Sequence, residues 1–212
     1  TGNYIFAHAL TLLEGYDRTD MISILADTSM KICDGEINQM LSCYNTDLGL
    51  KNYLRRIERK TALLISVSCQ LGAMVSNAEE EYVRVLKEYG YYLGMAFQIT
   101  DDILDLVADE KTLGKPTGSD IRQGVITLPA IYALHHDPRR EELKRLLGSP
   151  ESCINDAERI IDIIIDSDGV DYASYAADHF AARAQKKARA LPPSPLRQTF
   201  IDLADFLSVR EY

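Results

Sequence analysis

The sequence predicts an all-α protein, a single-domain helical bundle. Three observations carry that expectation. Apolar residues recur at three-to-four-residue spacing along nearly every segment, and alternating strand patterns are absent. One extended interruption, residues 109–124, holds Gly114, Pro116, Gly118 and Gly124. At 212 residues the chain suffices for one substantial core and is short for two domains. Neither an internal repeat nor a low-complexity linker divides it.

The elements follow in order. The chain opens at Thr1 without methionine and runs directly into helical pattern, so the N-terminus of the whole protein, with further helices, is expected upstream. Met21, Ile22, Leu25, Met30, Ile32, Cys33, Ile37, Met40 and Leu41 mark a long amphipathic helix after a cap at Asp20. Residues 50–76 form another, charged in its first half and apolar in its second. Asn77 followed by Glu80 resembles a helix start, and that pattern continues to about Val107. Thr127 and Pro129 open the next helix, since proline is tolerated in a first turn. Shorter helices are expected at 129–136, 139–147, 151–166, 170–190 and 195–208, the third entered through Ser149 and Pro150.

The net charge of −9 argues against a nucleic-acid partner, which needs a basic face to replace phosphate counterions. Clustered carboxylates instead suit a hard cation such as magnesium. Cys33, Cys43, Cys69 and Cys153 show no CxxC or zinc spacing and read as buried free thiols in a reducing compartment. No stretch reaches the ~20 apolar residues of a membrane span. The closest, 61–76, carries Ser66, Ser68 and Gln70 and reads as a helix buried within the protein.

The sharpest chemical feature is Asp101-Asp102-Ile103-Leu104-Asp105. On a helix, residues three and four apart are neighbours, so the three carboxylates share a face and repel one another. A divalent cation relieves that repulsion, and magnesium takes a few carboxylates together with waters or substrate phosphate oxygens. In isolation the same pattern fits a solvated acidic face. Two neighbours favour the metal. Gln98 lies one turn earlier and can donate to a ligand on that face, and the following glycine-rich loop carries Lys115. Glycines let backbone N–H groups approach an anion, and a lysine adds a point charge. A second basic run, Arg55-Arg56-Ile57-Glu58-Arg59-Lys60-Thr61, would by itself be the wet face of a helix. It abuts the uncharged run, however, so Lys60 and Thr61 fall where a solvated half becomes a buried one, a place suited to holding a phosphate.

These residues resemble the trans-prenyl diphosphate synthase family. Gly94-Met95-Ala96-Phe97-Gln98-Ile99-Thr100-Asp101-Asp102-Ile103-Leu104-Asp105, with Leu113-Gly114-Lys115-Pro116-Thr117-Gly118-Ser119-Asp120, is similar to the family's second aspartate-rich region. In order along the chain, Gly2-Asn3-Tyr4-Ile5-Phe6-Ala7 resembles GDYLFA, and Cys33-Asp34-Gly35-Glu36-Ile37 the helix containing GEI. Glu58-Arg59-Lys60-Thr61-Ala62 resembles the lysine–threonine motif, and Thr127-Leu128-Pro129 the TLP segment. The match spans about residues 1–134, and the tail from Leu191 is similar in style. Within the family, Tyr53-Leu54-Arg55-Arg56-Ile57, Ser68-Cys69-Gln70-Leu71-Gly72-Ala73 and Tyr89-Gly90-Tyr91-Tyr92 most resemble the large subunit of bacterial heptaprenyl diphosphate synthase.

The resemblance implies an isoprenoid-synthase helical fold and condensation of isopentenyl diphosphate with an allylic diphosphate. The product would be a long all-trans polyprenyl diphosphate, heptaprenyl by the subfamily, for menaquinone side chains. It implies magnesium on Asp101 and Asp102, with Asp105 as a further ligand or a support, and Lys60, Thr61, Gln98 and Lys115 on the allylic diphosphate. Phe97 would line the pocket near the reacting carbons. It also implies a cytoplasmic bacterial protein, loosely associated with membrane through its lipid product, and a dimer, either with a second copy or with a small regulatory subunit. Three departures stand out: the family's first DDxxD lies upstream of Thr1, Asn3 replaces an aspartate, and Val125 replaces a lysine. By the first departure this chain alone is expected not to turn over. The rival readings are a noncatalytic or regulatory subunit on the same fold, a terpene cyclase and a plain helical scaffold. The three intact aspartates weigh against the first. The second lacks its usual Asn and Ser/Thr metal motif.

Overall fold

The computed structural model describes residues 1–13, 15–16, 18–108 and 117–208, and among these every regular element is helical. The order is α1 (Gly2–Thr11), α2 (Thr19–Leu41), α3 (Leu50–Ile57), a π-helical turn (Glu58–Ala62), α4 (Leu63–Val75) and α5 (Glu80–Val107). Then come α6 (Ser119–Arg122), α7 (Leu128–His136), α8 (Arg140–Leu147), α9 (Pro150–Asn155), α10 (Ala157–Ile165), α11 (Gly169–Ala188) and α12 (Pro195–Ser208). Helix α5 is the axis of the bundle, with α4 against one side and α11 against another.

Several helix ends differ from the sequence reading. Helix α2 starts one residue before Asp20, and Arg18 occupies the cap position and grips the Asp20 carboxylate instead. Asn77 stands at φ 53° outside α5, whose cap residue is Glu79. The helix expected over 151–166 is two, broken at Asp156 (φ −111°, ψ 19°). The expected entry to α9 is present: Pro150 lies in the first turn, and Ser149 Oγ accepts from the Ser152 N–H at 3.3 Å. Thr127 likewise precedes α7 with proline in its first turn.

The largest buried cluster joins α3 and α5–α11 through Tyr53, Ile57, Met95, Ile99, Ile103, Ile121, Leu128, Leu143, Leu147, Cys153, Ile160, Ile164 and Ala173. A second unites α5, α11 and α12, where Tyr89 donates to the Phe200 carbonyl at 2.9 Å. Two burial expectations need correction. Of the four free thiols only Cys153 is buried, and Cys33 is exposed. The reason is that the apolar spacing of α2 marks a face this chain leaves open, where Met30, Ile37, Met40 and Leu41 are exposed too. Helix α4, expected inside, also shows solvent one face, with Leu64 half exposed. Among the described residues, no helix is long and apolar enough to cross a membrane.

The corner between α7 and α8 is tied by one carboxylate. Asp137, its side chain 3% exposed, accepts from the Arg139 N–H at 2.6 Å and from Nε and Nη2 at 3.0 Å each. Arg139 also reaches Asp166 after α10 at 3.1 Å. The guanidinium holds Asp137 below the usual carboxylate range. A depressed folded-state pKa contributes stability above the unfolded value, and that contribution is lost as pH falls through the folded one. We therefore expect the melting-temperature advantage of the wild type over Asp137→Asn to be full at neutral pH and to shrink below about pH 4. Thermal melts of both proteins across pH 2.5–7 check this; a constant gap would contradict it.

Candidate active site

The site forms where α5 runs antiparallel to the continuous stretch made of α3, the π turn and α4. Two glycines let the helices close on the π turn. A Cβ on Gly94 of α5 would stand 2.6 Å from the Ala62 Cα, and a Cβ on Gly35 of α2 would stand 2.7 Å from the Arg59 Cβ. No side chain fits at either contact, so the π turn, with Lys60 and Thr61, is clasped between α2 and α5. A π turn carries one extra residue per hydrogen-bonded ring and is frequent at functional sites. Lys60 and Thr61 are both partly buried there, but the expected step from a solvated to a buried half is absent: Arg56 before them is 8% exposed and Leu64 after them is half exposed.

From this clasp a hydrogen-bonded chain leads to the aspartates. Thr61 Oγ1 donates to Gln98 Oε1 at 2.5 Å. Gln98 Nε2 in turn donates to Asp102 Oδ1 at 2.8 Å and to Asp101 Oδ2 at 3.3 Å. Asp102, 4% exposed, accepts at its other oxygen from the Tyr53 hydroxyl at 2.8 Å. The Arg56 guanidinium lies 5.4 Å from the centre of the Tyr53 ring and donates to the Ile126 carbonyl at 2.6 Å. Burial pushes Asp102 up to about 7, helped by the nearby Asp120 charge and opposed by its bonds from Gln98 and Tyr53 and by Arg56. Burial, then the charge of Asp102, pushes the Tyr53 phenol well above its ordinary value, so Tyr53 keeps its proton and is the donor of that bond.

The shared acidic face expected from the sequence is divided. Asp101 is exposed, whereas Asp105 is 2% exposed and turned toward the chain that follows. Its Oδ2 accepts from the Asp120 N–H at 2.9 Å and its carbonyl from the Gly118 N–H at 2.7 Å. Gly118 sits at φ 73°, a left-handed conformation that glycine adopts without strain, and the backbone there enters α6. Thr117 Oγ1 donates to the Ala108 carbonyl at 3.1 Å, closing the two ends of the interruption on one another. Among the described residues no three His, Cys, Asp or Glu side chains are grouped to hold a metal. Lys115 lies outside the described residues. Phe97 is 40% exposed, one helical turn before Asp101 on α5.

A smaller donor set remains, two carboxylates whose chemistry suits a hard divalent cation. One amide nitrogen of Gln98 lies within hydrogen-bond reach of both the Asp101 and the Asp102 carboxylates, a small electropositive group between two oxygen donors. Magnesium binds in just such a setting, through one or two carboxylates with waters and phosphate oxygens completing the shell. Sequence reasoning missed Tyr53, Arg56 and the π turn. Tyr53 had a usable signal: it precedes Lys60 by seven residues, two helical turns, on the same side. Arg56 had none, because it sits in a charge run that reads as wet, yet it is only 8% exposed.

A family model described as polyprenyl synthetase matches residues 1–164. Component 2 of heptaprenyl diphosphate synthase from Bacillus subtilis is 39% identical over 212 residues, covering this whole chain and 60% of its own length. The crystal structure of heptaprenyl diphosphate synthase from Staphylococcus aureus superposes with a TM-score of 0.93 at 34% identity, covering all of this chain and 66% of that one. Polyprenyl synthase from Caulobacter crescentus CB15, complexed with calcium and isoprenyl diphosphate, superposes at 0.92 and 32% identity, over all of this chain and 65% of its own. The chain thus spans less than two thirds of the length of these relatives.

Proposed function

The chain belongs to the polyprenyl synthetase family, and on that basis we propose that it carries the part of a trans-polyprenyl diphosphate synthase that grips and ionises the allylic diphosphate. The observation that carries the reading is the bonded line Thr61–Gln98–Asp101/Asp102, which joins the π turn to the paired carboxylates. The Caulobacter neighbour, complexed with calcium and isoprenyl diphosphate, supports an oxygen-seeking divalent cation beside a diphosphate. A heptaprenyl product, and a separate partner component, follow from the component 2 relative and belong to the same proposal.

Asp101 and Asp102 would hold magnesium, with Asp105 supporting the backbone behind them through its bond from Asp120. When bound, the ion supplies Lewis-acid stabilisation of the charge that develops on the leaving diphosphate. Lys60 adds fixed positive charge at the same group, worth most where water is excluded, and Lys115 is assigned the same task from the sequence. Thr61 positions the Gln98 amide, which orients both carboxylates. Phe97, on the Asp101 side of α5, presents an apolar ring to the allylic carbons and keeps water from the cation formed when the C–O bond breaks. The double bond of isopentenyl diphosphate attacks that cation, and the released diphosphate accepts the proton lost. No histidine base is required, and His8, His135, His136 and His179 stand outside the site.

Calorimetry with a non-ionising allylic thiolodiphosphate tests the reading. Binding is expected with magnesium and lost on adding a chelator. Equal binding in both conditions, or none by a folded chain, would contradict it and favour a helical scaffold.

A further inference from the structure

We propose that Tyr53 is a positioning residue for the metal grip: its buried hydroxyl fixes one oxygen of Asp102 so that the other is turned toward Asp101. The inference rests on the reading of Asp101 and Asp102 as the cation ligands. Tyr53 is fully buried, and its hydroxyl donates to Asp102 Oδ2 at 2.8 Å. The opposite oxygen, Oδ1, shares the Gln98 nitrogen with Asp101. The two ends of the Asp102 carboxylate therefore have separate partners. The tyrosine holds one in the interior, and the other is left on the side where a cation shared with Asp101 would sit.

Tyr53 is itself fixed. The buried Arg56 guanidinium lies over its ring and is anchored to the Ile126 carbonyl beside α7. The line Ile126–Arg56–Tyr53–Asp102 thus ties the entrance of α7 to the carboxylate pair, and it gives the buried arginine a role that no surface charge run explains. Groups that hydrogen-bond metal ligands from behind typically contribute 10–100-fold to metal affinity, by fixing the ligand's orientation before the metal arrives. Removing the Tyr53 hydroxyl leaves Asp102 held by Gln98 alone, at the oxygen the cation would take, with nothing fixing the opposite end of the carboxylate.

The test is a Mn2+ titration followed by electron paramagnetic resonance, with an allylic thiolodiphosphate present, on the wild type, Tyr53→Phe and Tyr89→Phe. Tyr89 is the control: it is similarly buried and also loses a hydroxyl bond, a partly buried one to the Phe200 carbonyl, but in the cluster at α12 rather than at the carboxylates. Tyr53→Phe is expected to weaken Mn2+ binding about 10–100-fold, and Tyr89→Phe to leave it unchanged although both variants melt earlier. Unaltered affinity in Tyr53→Phe, or equal losses in the two variants, would overturn the inference and leave the metal reading standing. A wild type that takes up no Mn2+ would overturn both. Should Tyr53→Phe fail to fold, 3-fluorotyrosine at position 53 retains the hydroxyl. Its 19F resonance must then shift on adding magnesium and the analogue, and a silent resonance would overturn the inference.

Discussion

In an active synthase containing this chain, Asp101→Ala and Asp102→Asn should each lower kcat by about 10²–10³-fold, the loss seen when a group stabilising developing charge is removed. The two variants separate chemistry from stability. Asp101 is exposed, and its removal should cost within about 0.5 kcal/mol of folding stability. Asp102 is buried between Tyr53 and Gln98, so alanine there would strand two buried donors at about 1–3 kcal/mol. Asparagine keeps the shape and one acceptor while removing the charge. Steady-state kinetics beside thermal melts make the comparison, and near-normal turnover in both variants would refute the metal role.

Gly94→Val should be strongly damaging although it alters neither carboxylate. Even one carbon at Gly94 would stand 2.6 Å from the Ala62 Cα, a backbone atom with no rotamer to escape into. Overpacking of this kind costs about 1–3 kcal/mol, or several degrees of melting temperature at this chain length. The consequence for the site is larger than for the fold. Gln98 lies one turn after Gly94 on α5 and Thr61 immediately before Ala62, so parting the helices breaks the Thr61–Gln98 bond. Loss of magnesium-dependent analogue binding by a variant that still melts cooperatively is the expected outcome. Retained binding would show that the close approach is not what aligns the two motifs.

The helical class was legible because a 3.6-residue apolar period survives any packing partner. The Thr127 and Ser149 entries were legible because cap chemistry is local. What the sequence concealed was set by contacts distant along the chain. The π turn depends on Gly35 and Gly94, 59 residues apart, and the break at Asp156 interrupts an apolar pattern that runs through it. The same holds within the site. Spacing alone grouped Asp101, Asp102 and Asp105, but burial divided them: Asp101 is exposed and Asp102 buried against Tyr53, the two sharing the Gln98 amide, while Asp105 accepts from the Asp120 N–H. Cys33 reads as buried for a related reason, since the apolar periodicity of α2 reports a face and not what covers it.

The position of a bound cation tests the central claim most directly. In crystals grown with Mn2+ and an allylic thiolodiphosphate, the anomalous peak is expected about 2 Å from an Asp101 oxygen and from Asp102 Oδ1, with the analogue's phosphate oxygens on its open side. A peak elsewhere, with Asp102 still held by Tyr53 and Gln98 and neither aspartate touching metal, would contradict the account.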